Sequence, residues 1–280
     1  MATGGEWFRS VVPEDAIGPR DFDASVAHPA RIWDYWLGGK DNFAADREAA
    51  EKVLEATPVV AQVARADRAF LAKVVHHLAA DLGIRQFLDI GTGLPTASNT
   101  HEVAQRAAPD SRIVYVDNDP IVLAHARALL TSDPRGACAY IDADARDTGT
   151  ILAGAARTLD FSQPVAVMLL GILLFIPDED DPYAITSRLM DAVVPGSYLA
   201  ISHGASDIQA ESVARASGRY NEHSAVPMRL RTKAEITRFF DGLQITDPGV
   251  VPLNHWQPGP PGPGTPVGLP AYAALGHKAA

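Results

Sequence analysis

Three short acidic stretches are spaced almost evenly through the middle of the chain. Asp89 stands two residues ahead of Gly91-Thr92-Gly93, Asp117-Asn118-Asp119 follows, and Asp142-Ala143-Asp144 comes third. Each sits at the end of a short apolar run (87–90, 113–116 and 137–141). A glycine pair at a strand end lets the backbone turn tightly and come close to a ligand, and the amides of a following helix can meet an anion. A carboxylate ending the next strand, Asp117, can accept both hydroxyls of a ribose. An acid after the third strand, Asp144, can accept from the amino group of adenine. Each feature also has a plain structural reading: a turn needing positive φ, a helix cap (the reading preferred for Asp119) and a solvated loop acid. Three acids after three successive strands, beside one glycine turn, point instead to an adenosine-type cofactor.

The elements that must position these residues can be read from periodicity. Segment 29–56 reads as two helical pieces broken at Gly38-Gly39, and 59–82 carries a helical apolar stripe ending at Gly83. Strands then alternate with helices: strands at 87–90, 113–116, 137–141, 165–170 and 198–202, helices at 98–108, 120–130, 148–158 and 182–193. Such alternation predicts an α/β fold, a doubly wound, mostly parallel seven-stranded sheet with ligands at the strand ends along one edge. Segment 203–231 interrupts the alternation and reads as a cover over that edge. A helix at 232–240 opens with Thr232 and Glu235 at capping-box spacing. Last strands are expected at 243–246 and 272–275, flanking a Pro/Gly loop that begins at Gln257. The domain reading is a loose arm (1–28), a helical extension (29–82) and a Rossmann-like domain (83–280) carrying the 203–231 insertion.

Two details separate the possible cofactors. A dinucleotide fingerprint needs a third glycine, G-x-G-x-x-G, whereas Thr96 stands there. The acid two residues before the first glycine is also more typical of methyltransferases. Both favour S-adenosyl-L-methionine over NAD.

The Asp89-Ile90-Gly91-Thr92-Gly93 stretch resembles motif I of class I methyltransferases. More specifically, the chain resembles the actinobacterial S-adenosyl methyltransferase family long called a domain of unknown function. The segments that carry this resemblance begin at Pro29 (PARIWDYWLGGKDNF), Arg65 (RADRAFL), Gly91 (GTGLPTASNTHE), Val116 (VDNDP), Arg231 (RTKAE) and Pro252 (PLNHW). It spans roughly residues 25–280. It implies that Asp89, Gly91, Thr92 and Gly93 line the methionine part of the cofactor, Asp117 and Asn118 the ribose and adenine edge, and Asp144 and Ala145 the adenine. Gly171 would lie near the sulfonium. The family often has a histidine where this chain has Leu174.

Composition narrows the function classes. Net charge is −10 across 280 residues, with arginines scattered among acids, which argues against a nucleic-acid partner. No apolar run reaches the roughly 18 residues of a membrane helix, no signal peptide is recognisable, and the single cysteine, Cys138, fits a cytoplasmic protein. His76-His77 lacks a third ligand at metal spacing, so no metal is expected. A polar cluster beside a glycine pair, Lys40-Asp41-Asn42, suggests ligand contact, while Trp33, Trp36 and Phe43 read as core. No general base is evident. His203, after the fifth strand, and Tyr220 and His223, in the cover, are weak catalytic candidates. Arg215, Arg219, Arg229 and Arg231 could anchor an acidic acceptor. The expected function is methyl transfer to a small-molecule acceptor, with oligomeric state open. The alternatives are a non-catalytic S-adenosylmethionine-binding module and an NAD(P)-dependent oxidoreductase.

Overall fold

A computed structural model describes residues 23–96, 98–129, 132–224, 226–259 and 267–280, with the side chains of 126–129 and of His223 also outside the described set. Most of the loose arm and most of the Pro/Gly loop therefore lie outside the described residues. Three helices come first: α1 (Pro29–Leu37), α2 (Ala44–Ala56) and α3 (Val60–His76), the last running into a π-helical turn at His77–Asp81. Then follow β1 (Gln86–Ile90), α4 (Thr100–Ala107), β2 (Arg112–Asp117), α5 (Pro120–Leu129), β3 (Ala137–Asp142), α6 (Thr148–Ala155), β4 (Ala166–Leu170), α7 (Pro182–Asp191) and β5 (Tyr198–Gly204). The chain continues through α8 (Ala210–His223), α9 (Lys233–Thr237), β6 (Gln244–Ile245), β7 (Val251–Pro252) and β8 (Ala271–His277).

The sheet runs β3-β2-β1-β4-β5-β8-β6, parallel from β3 to β5, with β8 antiparallel to both β5 and β6. It has eight strands rather than the expected seven, because the two-residue β7 also pairs with β8. Its shortness and its proline hid it from pattern reading. Strand side chains alternate between two cores, as the period of two requires. Leu88, Val167 and Leu169 face α6 and α7, while Phe87, Met168 and Leu170 face α3 and α4. Asn99 and Glu102 form a capping box on α4, and Thr232 and Glu235 form the expected one on α9.

A third core lies off the sheet and decides where the site is. Ile32 and Trp36 of α1, Ala49, Ala50 and Val53 of α2, and Ala216 and Tyr220 of α8 pack together with Leu174 and Phe175. The first two helices and the segment 203–231 thus meet over the sheet's ligand edge rather than standing apart. Asp119, at the end of the β2 loop, helps to anchor them. Its carboxylate accepts the Ile121 amide (2.8 Å), as a cap should, and also meets His28 Nδ1 (2.9 Å) and Arg31 Nε (3.5 Å).

Candidate active site

The strand order reverses between β1 and β4, which is where open α/β sheets bind ligands. Gly91 and Gly171 lie at the ends of those two strands, with φ of 74° and 63°. The Gly91 amide donates to the Val116 carbonyl (2.8 Å) and the Gly171 amide to that of Ser202 (3.1 Å). A β-carbon on Gly91 would come within 2.6 Å of Ile172, so packing and backbone angle both demand glycine. Between these turns opens a cleft of about 160 Å³.

All nine residues expected to meet the cofactor line this cleft: Asp89, Gly91, Thr92, Gly93, Asp117, Asn118, Asp144, Ala145 and Gly171. Asp117 is buried and ties the loops together, accepting the Gly93 amide through Oδ2 (2.8 Å) and the Asp119 amide through Oδ1 (3.0 Å). Burial raises its pKa, while those two amides pull the other way. Asp144 is held by Arg146 (2.7 Å) and accepts from the Asn118 amide group (3.3 Å), and the Arg146 contact keeps its carboxyl below the ordinary range. Asp142, by contrast, does not line the cleft.

Several lining residues escaped the sequence reading because they come from the end of the arm, His28, and from the helical extension, Trp33, Asp67 and Arg68. Asp67 and Asp89 are both buried, and burial pushes each carboxyl up to about 6. Arg68 opposes both shifts; Ser202 does so at Asp67, and at Asp89 the Thr100 hydroxyl, which donates at 2.6 Å. Asp117 and Asp67 add to the upward shift of Asp89. The buried carboxyls of Asp67, Asp89 and Asp117 thus share one cleft with Arg68.

A second chamber of about 80 Å³ adjoins the cleft. Trp33, Asp67 and Gly171 belong to the walls of both. Trp33 Cη2 and Asp67 Oδ2 lie 3.6 and 3.8 Å from where a Gly171 β-carbon would stand, so these three residues meet where the two cavities adjoin. The chamber's other walls are mostly apolar: Trp36, Val53, Val60 and Val63 from the extension, Leu174 after β4, and Val213, Ala216 and Tyr220 from α8. Trp33 Nε1 and the Tyr220 hydroxyl are buried with no hydrogen-bond partner. Ser224, one turn beyond Tyr220, gives its own hydroxyl to the Val226 carbonyl (3.2 Å). Burial pushes the Tyr220 phenol well above its ordinary pKa, so it remains a donor.

The three weak catalytic candidates separate. Tyr220 faces the chamber, the side chain of His223 lies outside the described residues, and His203 is committed elsewhere. Nδ1 of His203 lies 2.9 Å from the Gly204 carbonyl and Nε2 lies 3.0 Å from Nη1 of Arg231. Carbonyl and guanidinium fix the tautomer: Nδ1 donates and Nε2 accepts. Burial, with Arg231 adding, brings its pKa down to about 3. No lone pair is left to take a proton from an acceptor. Arg231 in turn donates to the carbonyls of Leu173 and Ile176 (both 2.9 Å) and to Asp178 (2.7 Å), and Arg229 pairs with Asp178 and Glu235. Neither arginine is available to anchor an acidic acceptor.

The glycine-pair cluster also has a structural use. The Asp34 carboxylate accepts from the Asn42 amide group (2.7 Å) and the Asp41 backbone (2.9 Å), and it fills the space beside the Gly39 α-carbon. Asp41 faces His125 at 3.6 Å, and none of Lys40, Asp41 and Asn42 lines either cavity. Trp33, read as core, is instead a wall of both.

The match to known proteins agrees with this architecture. A family model described as S-adenosyl methyltransferase matches residues 15–279, and the chain belongs to that family. The fold is that of class I methyltransferases, and the family's cofactor is S-adenosyl-L-methionine. A DUF574 family protein from Streptomyces avermitilis is 44% identical, with a TM-score of 0.86 over 91% of this chain and 99% of that one. A candidate methyltransferase from Thermobifida fusca is 39% identical, with a TM-score of 0.84 over 93% and 97%. An O-methyltransferase family 2 protein from Planctomyces limnophilus, solved with apigenin, shares the fold at 16% identity and a TM-score of 0.50, covering 88% of this chain and 65% of that one. No curated protein matches. Among the described residues no helix is long and apolar enough to cross a membrane, and no group of side chains could hold a metal ion.

Proposed function

We propose that the chain transfers a methyl group from S-adenosylmethionine to a small molecule seated in the second chamber. The observation that carries this reading is that the two cavities adjoin at Trp33, Asp67 and Gly171, which line both. One cavity has the polar, acidic lining suited to the cofactor, and the other has the apolar lining typical of small-molecule sites. The donor set suits the cofactor. Buried Asp89 and Asp117 favour a ligand carrying an ammonium charge, Asp67 beside Gly171 favours its sulfonium, and Arg68 stands on the same wall to face its carboxylate. Asp117 and Asn118 would hold the ribose edge, with Asp144 and Ala145 at the adenine. When bound, the cofactor supplies an electrophilic methyl group. The protein's own contribution is to orient the acceptor, exclude water and manage a proton.

The reading is consistent with a protein that works free in the cytoplasm and needs no nucleic acid. With the family established, the oxidoreductase alternative loses its support, and a module that binds the cofactor without turnover is the remaining competitor. Calorimetry with S-adenosylhomocysteine tests the binding half. Mass spectrometry of a panel of low-mass phenols, alcohols and amines, incubated with methyl-labelled cofactor, tests the transfer half. Binding without labelled product from any acceptor would favour the non-catalytic module.

A further inference from the structure

We infer that Asp67 is the general base of the site, and that the acceptor is an uncharged, chiefly apolar molecule bearing one protic oxygen or nitrogen. This rests on the reading that the second chamber holds the acceptor. Among the described residues Asp67 is the carboxylate common to both cavities, with Oδ2 beside Gly171 where they adjoin. A base for methyl transfer must reach the acceptor's proton, which lies beside the line along which the methyl group travels. A group on the shared wall meets that condition, whereas His203, with both ring nitrogens engaged, does not.

The charge of the acceptor follows from the lining. Among the described residues the chamber has no lysine or arginine on its walls, His203 is neutral, and Asp67 is the one carboxylate. A carboxylate or phosphate entering it would meet a like charge and no cation, in a site too dry to screen it. The partnerless Trp33 Nε1 and Tyr220 hydroxyl are neutral donors suited to a single oxygen or nitrogen acceptor. The groups facing Asp67 are Arg68 of its own helix, Asp89 of β1 and Ser202 of β5, with Tyr220 of α8 across the chamber; His203, the next residue of β5, packs on Phe239 instead. A carboxyl raised by burial among these groups is a stronger base than a solvated one and is still ionised at neutral pH.

The step balances simply. The bond from the acceptor oxygen or nitrogen to the methyl carbon forms as the carbon–sulfur bond breaks. The sulfur keeps that bond's electron pair, and the acceptor's proton passes to Asp67 and then to solvent.

Two matched probes test this on the intact protein with S-adenosylhomocysteine bound: p-cresol, which is neutral and protic, and p-toluate, its carboxylate analogue. Calorimetry on the wild type is expected to show p-cresol binding about tenfold or more tighter than p-toluate, the penalty of burying a charge without a partner. Asp67→Asn is nearly isosteric and removes the charge. It is expected to retain S-adenosylhomocysteine and p-cresol binding, to narrow the gap to p-toluate, and to lower kcat far more than KM for any phenol that is methylated. The acid limb of the wild-type kcat/KM profile, centred on the Asp67 titration, should vanish in the variant. Equal binding of both probes by the wild type, binding of neither, or an Asp67→Asn enzyme with unchanged kcat overturns the inference. Failure of the wild type to bind S-adenosylhomocysteine would instead strike the functional reading beneath it. Should the variant not fold, the wild-type probe comparison alone still decides.

Discussion

Nε2 of His203 lies 3.0 Å from Nη1 of Arg231, and both side chains are all but inaccessible to solvent. The pair locks β5 to the turn after β4 through four hydrogen bonds of the guanidinium: to the carbonyls of Leu173 and Ile176, to Asp178 and to the imidazole itself. Those elements meet at Gly171, whose amide donates to the Ser202 carbonyl of β5. The pair is therefore a brace for the site rather than part of its chemistry.

Removing Arg231 should accordingly cost stability. Arg231→Ala strands His203 and the Leu173 and Ile176 carbonyls, while half-exposed Asp178 keeps Arg229, and it is expected to lower unfolding free energy by about 2–4 kcal/mol, since each buried polar group left unsatisfied costs about 1–3 kcal/mol. Urea denaturation measures this. A loss under 1 kcal/mol would mean that the network is incidental.

Asp89 sets stability against binding. Its folded pKa, near 6, exceeds its unfolded value of 3.8. The folded state therefore holds the proton more tightly, and stability from this group is present below pH 4 and lost as pH rises through 6. Asp89→Asn should raise apo-protein stability by about 1–3 kcal/mol at pH 7 and by almost nothing at pH 4. Its affinity for S-adenosylmethionine should fall. Thermal melts at the two pH values, with calorimetry at pH 7, check both signs.

The same acids make cofactor binding pH-dependent. A cationic ligand favours ionised carboxylates, so S-adenosylmethionine affinity should drop as pH falls from 7 to 5, with Asp67 and Asp89 taking up protons near 6. S-adenosylhomocysteine, lacking the sulfonium, should respond less. Identical pH curves for the two ligands would argue that the acids do not face the sulfur.

Asp117 joins the two loops that carry the cofactor residues. Asp117→Ala should weaken S-adenosylmethionine by about 1.5–3 kcal/mol, the range for hydrogen bonds to a charged group. It should also speed amide exchange at Gly93 and Asp119, whose N–H groups it accepts. Exchange that rises without any loss of affinity would leave Asp117 as a loop brace alone.

Much of this architecture was legible in the sequence, because local rules governed it. The β1 and β2 strands, the glycine turn and Asp117 announce themselves through short-range pattern, as does the capping box at Thr232 and Glu235. Asp67 and Trp33 were opaque for a different reason. On the sequence they are one polar and one apolar position of ordinary helices, and they gain meaning only when α1 and α3 cross the sheet edge. His203 misled in the opposite direction. A histidine at a strand end looks reactive until an arginine 28 residues later is found occupying its lone pair. Lys40-Asp41-Asn42 misled likewise, since its partner, Asp34, lies in the preceding helix.

Gly171 stands where the two cavities adjoin, and its φ of 63° disfavours any side chain. Gly171→Ala should cost about 1–2 kcal/mol of stability and place a methyl group between Trp33 and Asp67. S-adenosylhomocysteine affinity should change less than transfer to a phenol does. Equal losses in both would place the methyl-transfer path elsewhere.

The most direct test of the whole account is a calorimetric titration of the wild-type protein with S-adenosylhomocysteine beside NADH. The account predicts one-to-one binding of S-adenosylhomocysteine, weakened by Asp117→Ala, and no heat from NADH. Binding of NADH with none of S-adenosylhomocysteine would contradict it.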